Sequence, residues 1–418
     1  MRVTTIQLEN FRGFPSLSLD LARPLTVLAG INGAGKSSVL EALAMLLGAV
    51  QVELLGRALV IPVPTPSDVR VGDTEARLTA SLGFDGVTAG IAIDVARHGD
   101  LTVLSPPGKM LHGAADIPRE PARCLAMYYS TARAASPDLH TRWKDGVAQA
   151  TDAVDAIVGA LSSDPLGFGD LFRWFRDRED YENAEKVRRA SLAWSDPQLD
   201  AVRAAIAALL PGFSGLRVDR GVLRMVVEKE GVLLSLHQLS DGERTLLAVG
   251  ADIARRLAIA NPDAPSPLAC EAVVLLDEVE LHLHPAWQRA VLRSLRRAFP
   301  RGQFIVTTHS PQVLGEVPND AVVLLKDFGS YVPPAPTAGR DANAILREVL
   351  GVTARPEAVA QELDAIRDLL DEGRYAEARG RLDVAAAALT ERDPDVRTMR
   401  AVMDVVEGID GSAPEPMP

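Results

Sequence analysis

The sequence predicts an α/β protein: a mixed sheet with an antiparallel β lobe, a helical insertion and a helical C-terminal region. Three observations carry this reading. A short apolar run, Leu25–Ala29, feeds a glycine-rich turn that opens a helix. A second apolar run, Ala272–Leu276, ends in the acids Asp277 and Glu278, as a buried parallel strand does where it meets solvent. Between them, alternating segments give way to a stretch with helical spacing alone.

In chain order, alternation predicts strands at Val3–Leu8 and Leu17–Leu21, followed by the Leu25–Ala29 run. A helix is expected from Lys36 to Leu47, with Gly48 as its C-cap. Residues 76–84 and 88–104 alternate and read as antiparallel strands, and Ala122–Tyr129 as another. Over 137–210 strand signals vanish, and DAVDAIVGAL and QLDAVRAAIAALL have helical spacing. A hairpin-like pair is expected at 215–236, and a helix at 243–260 that stops before Asn261-Pro262. After the proline-rich loop NPDAPSPLAC come the Ala272–Leu276 strand, a helix near 285–298 and a strand at Phe304–Thr307. Beyond 340 the pattern is helical, with an apolar stripe at Val359, Leu363, Ile366 and Leu370. The end, GIDGSAPEPMP, reads as disordered. The domain reading is therefore 1–136, 137–212 for the insertion, 213–335, and 336–418 for the helical C-terminal region.

Composition narrows the function. Lys and Arg number 44 against 56 Asp and Glu, a net charge of -12, which disfavours nonspecific grip on DNA by bulk charge. Two cysteines, Cys124 and Cys270, are too few for a disulfide framework and suit a reducing cytoplasm. The N-terminal MRVTTIQLENFRGF has no signal-peptide core, and no apolar run approaches the roughly 18 residues that span a bilayer. A soluble, cytoplasmic protein without a membrane partner is expected.

Gly30–Ser37 fits G-x-x-x-x-G-K-[ST] between a strand and a helix. Such a loop turns the backbone N–H groups of Asn32, Gly33, Ala34 and Gly35 toward one anion, and the helix start through Ser38 adds partial positive charge. Lys36 can reach the β- and γ-phosphates of ATP, and Ser37 can ligate Mg²⁺. Asp277 is placed to hold the same Mg²⁺ through water, and Glu278 to act as general base toward an attacking water. Basic clusters at Arg173, Arg176 and Arg178, at Lys186, Arg188 and Arg189, and at Arg293, Arg296 and Arg297 are interleaved with acids or spread on helix faces, so solvated faces are the default. His282 and His284 would share one face of a strand, but no third metal ligand lies nearby in sequence.

Ser240 and Glu243 have capping-box spacing, which alone marks an ordinary helix start. By position, Leu239–Glu243 also resembles the LSGGQ signature of ABC ATPases, with Asp241 in place of the first Gly and Glu243 in place of Gln. The resemblance implies that Ser240 and Gly242 meet the γ-phosphate held by a second subunit, with the Asp241 side chain turned away. His309, after FIVTT, is similar to the ABC switch histidine that contacts the γ-phosphate, and ELHLHP takes the place of the D-loop. No glutamine stands in Ser130–Arg133, where a Q-loop is expected.

Together, NFRGF, AGINGAGKSS, QLSDGER, VLLDEVELHLHPAWQR and FIVTTHSPQVL resemble the stand-alone bacterial ATPases of the OLD/RecF-like group. LFRWFRDREDYENAE and GRDANAILREVLGV point within it to the PtuA ATPases of Septu and retron anti-phage systems. The resemblance implies an ABC-type ATPase head that forms a homodimer or higher oligomer around ATP and Mg²⁺. It also implies a separate HNH-type nuclease partner, docked on 137–210 or beyond 340. The other family expectation is a RecF-like maintenance ATPase that contacts DNA or RNA directly.

Overall fold

The computed structural model describes residues 1–98, 101–104, 111–113, 117–133, 152–164, 168–352 and 355–410. Of the tail predicted as disordered, 408–418, residues 408–410 instead close a helix that ends at Asp410, and 411–418 lie outside the described residues, as does the start of the insertion, 137–151. The chain divides into two compact units, residues 1–345 and 346–418.

In the first unit, strands β1 (Arg2–Phe11) and β2 (Phe14–Asp20) pair antiparallel. Strand β3 (Leu25–Ala29) follows, then helix α1 (Lys36–Leu55). This helix runs past the expected stop at Gly48. Gly48 is buried, and a Cβ there would come within 2.9 Å of the Ile61 side chain, so its glycine answers a packing demand. The left-handed C-cap is Gly56. By length and mean hydropathy (1.7) α1 could cross a bilayer, contrary to the sequence expectation. Yet 72% of that apolar window is buried inside the protein, which makes it a core helix.

Strands β4 (Glu75–Phe84) and β5 (Val87–His98) form the expected hairpin. The predicted 88–104 strand is in fact two, since β6 (Leu101–Leu104) folds back antiparallel on β5, which also pairs with β7 (Leu111–His112). The lobe's order is β2-β1-β4-β5-β6. Strand β8 (Ala126–Tyr129) is shorter than expected, because the preceding Pro121–Arg123 forms a 3-10 turn. DAVDAIVGAL is not an α-helix; it starts as a 3-10 turn, Ala153–Ala156, capped by Asp152. The insertion's helices are α2 (Phe168–Arg188) and α3 (Pro197–Leu209). The expected hairpin near 215–236 has three strands, β9 (Phe213–Asp219), β10 (Arg224–Lys229) and β11 (Val232–Ser235), because the turn at Glu230-Gly231 adds a second reversal.

Next come helix α4 (Asp241–Ala260), strand β12 (Ala272–Leu276), helix α5 (Pro285–Ala298), strand β13 (Gly302–Thr308), the short helix α6 (Pro311–Leu314), strands β14 (Val322–Lys326) and β15 (Gly329–Tyr331), and helix α7 (Ala342–Glu348). The central sheet has the order β15-β14-β3-β13-β12-β8, parallel throughout except at β15. Every residue of β3, β8, β12 and β13 is buried, as expected for a parallel sheet covered on both faces. The carboxyl ends of β3, β12 and β13 therefore lie side by side, where α/β sheets bind ligands.

One residue ties the β lobe to this sheet. Gln303 on β13 is fully buried; its amide donates to the carbonyls of Val3 (2.7 Å) and Leu21 (2.6 Å), and its Oε1 accepts the Val3 N–H (2.8 Å). Gln303→Leu leaves those groups unpaired in the interior. It is expected to lower stability by about 1–3 kcal/mol, read as a reduced denaturation midpoint; an unchanged midpoint would refute this role.

Helix α4 is anchored by a buried polar cluster. Asp252 accepts from Tyr129 Oη (2.9 Å), Arg255 and Arg256, and Arg256 reaches the carbonyls of Ala156 and Val158. Burial would raise the Asp252 pKa, but Arg256 and Arg255 outweigh it and hold the carboxyl below its usual range.

In the second unit, helices α8 (Glu357–Asp371), α9 (Tyr375–Leu389) and α10 (Pro394–Asp410) enclose their own core. The predicted stripe points there: Leu363 and Ile366 are buried, with Val359 and Leu370 packed at the margin. That stripe is consumed within the unit and is not a free docking face.

Candidate functional site

The loop between β3 and α1 is shaped for an anion. Gly33 and Gly35 have φ of +83° and +89°, in the left-handed region. Gly35 faces a second constraint, since a Cβ would lie 2.4 Å from the Phe14 ring. No side chain caps α1, and no acid stands in its first turn, so its first N–H groups are left for an outside acceptor. Asn32 and Gly33 are exposed, Ala34 is buried, and Ser37 and Ser38 are half-buried. Lys36 is buried and donates to the carbonyls of Gly30 (2.9 Å) and Ile31 (3.0 Å). Burial lowers its pKa, opposed by the nearby charges of Glu278, Asp277 and Glu280. Lys36 and these acids, far apart in sequence, thus lie within electrostatic reach of one another at the end of the sheet.

At the end of β12 the backbone kinks sharply, with Glu278 at φ +45°. Two side chains hold it. Thr307 Oγ1, on neighbouring β13, donates to Asp277 Oδ1 (2.6 Å) and accepts the Glu278 N–H (2.7 Å). From the other side the buried Arg133 guanidinium donates to the carbonyls of Asp277 and Glu278. Burial lowers the Arg133 pKa, countered by Asp277, Glu280 and Glu278. Asp277 is 3% exposed, whereas Glu278 is half-buried. A strained φ at a non-glycine residue, braced by two partners, is how a fold aims a functional side chain.

His309 follows β13. Its backbone N–H and its Nδ1 both meet Glu280 Oε1, at 2.8 and 3.1 Å. The Ser310 hydroxyl bonds Gln288 and caps α6.

Ser240 is the N-cap of α4, and the capping box with Glu243 is formed (Ser240 N–H to Glu243 Oε2, 3.1 Å; Glu243 N–H to Ser240 Oγ, 3.3 Å). Ser240 is exposed, and Asp241 is exposed and paired with Arg244. Gly242 is buried; a Cβ there would lie 2.5 Å from the His282 carbonyl, so only glycine lets α4 approach the segment after Glu278 this closely. Among the described residues, no hydrogen bond or ion pair joins Ser240–Glu243 to Gly30–Ser38; the segment's side chains pair outward with Lys229 (2.6 Å to Glu243) and Arg244 (to Asp241). His284 caps α5 through Nδ1, and among the described residues no group of three or more metal-ligating side chains gathers with it.

Sequence reasoning gave no role to four residues that touch these loops. Arg133 lies in the segment Ser130–Arg133 where a Q-loop glutamine was sought and none stands. Thr307 and Glu280 lay inside quoted motifs. Arg12, from NFRGF, bonds Ser38 Oγ (3.3 Å) and bridges Glu41 and Asp68 (2.7 Å to Asp68). The basic clusters are largely neutralised: Arg173 pairs with Asp170, Arg178 with Asp196, Lys186 with Glu182, Arg188 and Arg189 with Glu185, and Arg293 with Glu316.

The family described as "AAA domain, putative AbiEii toxin, Type IV TA system" matches residues 152–315, and an "AAA domain" family matches residues 5–57. The Retron Ec83 probable ATPase of Escherichia coli is 29% identical over 90% of this chain and 81% of its own length. The Septu protein PtuA of Bacillus mycoides (strain KBAB4) is 40% identical over 22% of this chain, which is 13% of PtuA. Among solved structures, an SMC head bound to the C-winged helix domain of ScpA aligns over 79% of this chain and 97% of its own, at 17% identity and a TM-score of 0.47. The chain carries matches to two AAA-domain families and is similar in sequence to the probable ATPases of retron systems and to the Septu protein PtuA.

Proposed function

We propose that two copies of this chain close around two ATP molecules, hydrolyse them, and through that cycle control a separate HNH-type nuclease in anti-phage defence. The supporting observation is that the parallel pairing of β3, β13 and β12 puts buried Lys36 within electrostatic reach of Asp277, Glu278 and Glu280. A cation that takes phosphate and a carboxylate that activates water must share one site, and here different loops supply them.

In this reading, the N–H groups from Asn32 to Ser38 bind the phosphates, and Lys36 exchanges its two carbonyl partners for β- and γ-phosphate oxygens. Ser37 and Asp277 offer the oxygen donors that a small hard cation takes. Thr307 holds Asp277 Oδ1 and leaves Oδ2 without a hydrogen bond among the described residues. Mg²⁺ bound there supplies charge neutralisation on the phosphates. Glu278, aimed by its braced kink, accepts a proton from the attacking water. His309 contacts the γ-phosphate. The free cysteines suit a reducing cytoplasm, and likeness to retron and Septu ATPases supports the defence role.

The two-chain site is supported by Ser240. It is exposed at the start of a 20-residue helix, and its partners lie away from its own phosphate loop. Ser240→Arg places a bulky cation where a partner's γ-phosphate docks. It should spare ATP binding to one chain and abolish ATP-driven dimerisation and hydrolysis. Mixing Ser240→Arg with Lys36→Ala chains builds dimers with one intact composite site, and hydrolysis returns if sites act independently. Full activity of Ser240→Arg alone would rule out the composite site. ATP-dependent DNA binding by the pure chain, with no partner, would favour the RecF-like reading instead.

A further inference from the structure

We infer that Glu280 is the positioning residue for His309, setting which ring nitrogen the histidine offers to the nucleotide. The inference rests on the ATPase reading above and adds a residue to it. Glu280 lies at the interior of the turn after β12, 5% exposed, while the His309 side chain is 49% exposed. A single oxygen, Oε1, accepts both the His309 backbone N–H and its Nδ1. An ionised carboxylate only accepts, so Nδ1 must carry the proton. The backbone contact fixes the start of the loop and the ring contact orients the imidazole, so His309 is held at two points, one on the main chain and one on the ring. The other ring nitrogen, Nε2, has no hydrogen-bond partner among the described residues and is the one left for an incoming phosphate.

Two features set Glu280 apart from an ordinary structural acid. Its Oε2 is buried without a hydrogen-bond partner among the described residues, a costly arrangement that native proteins rarely keep without use. It also lies within electrostatic reach of Lys36 and Arg133, so it belongs to the same charge cluster as Asp277 and Glu278. With both ring nitrogens protonated, Nδ1–H stays on Glu280 and Nε2–H can donate to a phosphate oxygen. The logic is that of the acid that orients a histidine in a hydrolytic triad. Here the histidine's acid is Glu280, while Glu278 is left free for water.

The test uses the full chain with Mg²⁺ and ATP, comparing Glu280→Gln, His309→Ala and the double variant. Glu280→Gln keeps shape and is expected to slow turnover roughly 10–100-fold, the range seen for partners that orient a functional histidine, with ATP affinity unchanged. The double variant should be no slower than His309→Ala. Losses that multiply, or a Glu280→Gln enzyme at wild-type rate, would overturn the inference. Independently, ¹⁵N–¹H spectra of the wild-type chain should show His309 protonated at Nδ1, with the tautomer redistributed in Glu280→Gln. A wild-type ring with bare Nδ1 would overturn the inference even if no variant folded. Full activity of His309→Ala would instead defeat the role of His309 in hydrolysis, and the spectra would still report on Glu280.

Discussion

Glu278→Gln is expected to lower the rate of ATP hydrolysis by about 10²–10⁴-fold, the usual contribution of a positioned base. The amide keeps the size of the carboxylate and cannot take a proton from water. The kink that aims it depends on backbone groups, held by Thr307 and Arg133, and should survive. ATP should therefore still bind and persist, and the dimer should accumulate in its closed state. Phosphate release and retention of labelled nucleotide read the two halves of this expectation. Turnover at the wild-type rate would remove Glu278 from the mechanism and leave Glu280 or Asp277 to be considered.

The second large effect is on binding. Lys36→Ala deletes a buried ammonium that already donates two hydrogen bonds to the loop. A hydrogen bond to a charged group is worth about 1.5–3 kcal/mol, so ATP affinity should fall roughly 10–150-fold. Lys36→Arg keeps the charge, but its planar fork does not fit a site built for a compact ammonium, and it too should weaken binding. The loss should not unfold the chain, because removing a cation whose pKa is already lowered by burial also removes a desolvation cost. Equal nucleotide affinity for wild type and Lys36→Ala, measured by titration calorimetry, would dismiss the loop as a phosphate cradle.

Much of this was legible in one dimension because the chemistry is local there. A phosphate loop is a strand, a turn and a helix start in about ten successive residues, so Gly30–Ser38 carries its own geometry. Asp277 and Glu278 at the end of a continuous apolar strand are equally local, as is the capping box of Ser240 and Glu243. Alternation located the β lobe, and spacing located α3, α4 and α5.

Where reading failed, the deciding contact was remote. Gly48 has the look of a helix stop, but Ile61 packs where its Cβ would be, so the glycine answers packing and the helix runs on to Leu55. The hydropathy of α1 is compatible with a bilayer or a core, and only the surrounding sheets settle it. The stripe on α8 was compatible with a docking face until α9 and α10 covered it.

The sequence by itself determined a glycine-rich strand–turn–helix, a carboxylate pair at a strand end and a histidine after a second strand, in an order that resembles ABC-type ATPases, because each motif is a short backbone program. Only the tertiary structure decided how they cooperate. Parallel pairing of β12, β13 and β3 brings Asp277, Thr307 and Lys36 to one edge. It also assigns Arg133 to the carbonyls of the Glu278 kink and Glu280 to His309, at separations of 145 and 29 residues. Hydrogen bonds of that range leave no periodicity and no spacing in a single chain, so they become visible only when the sheet has closed.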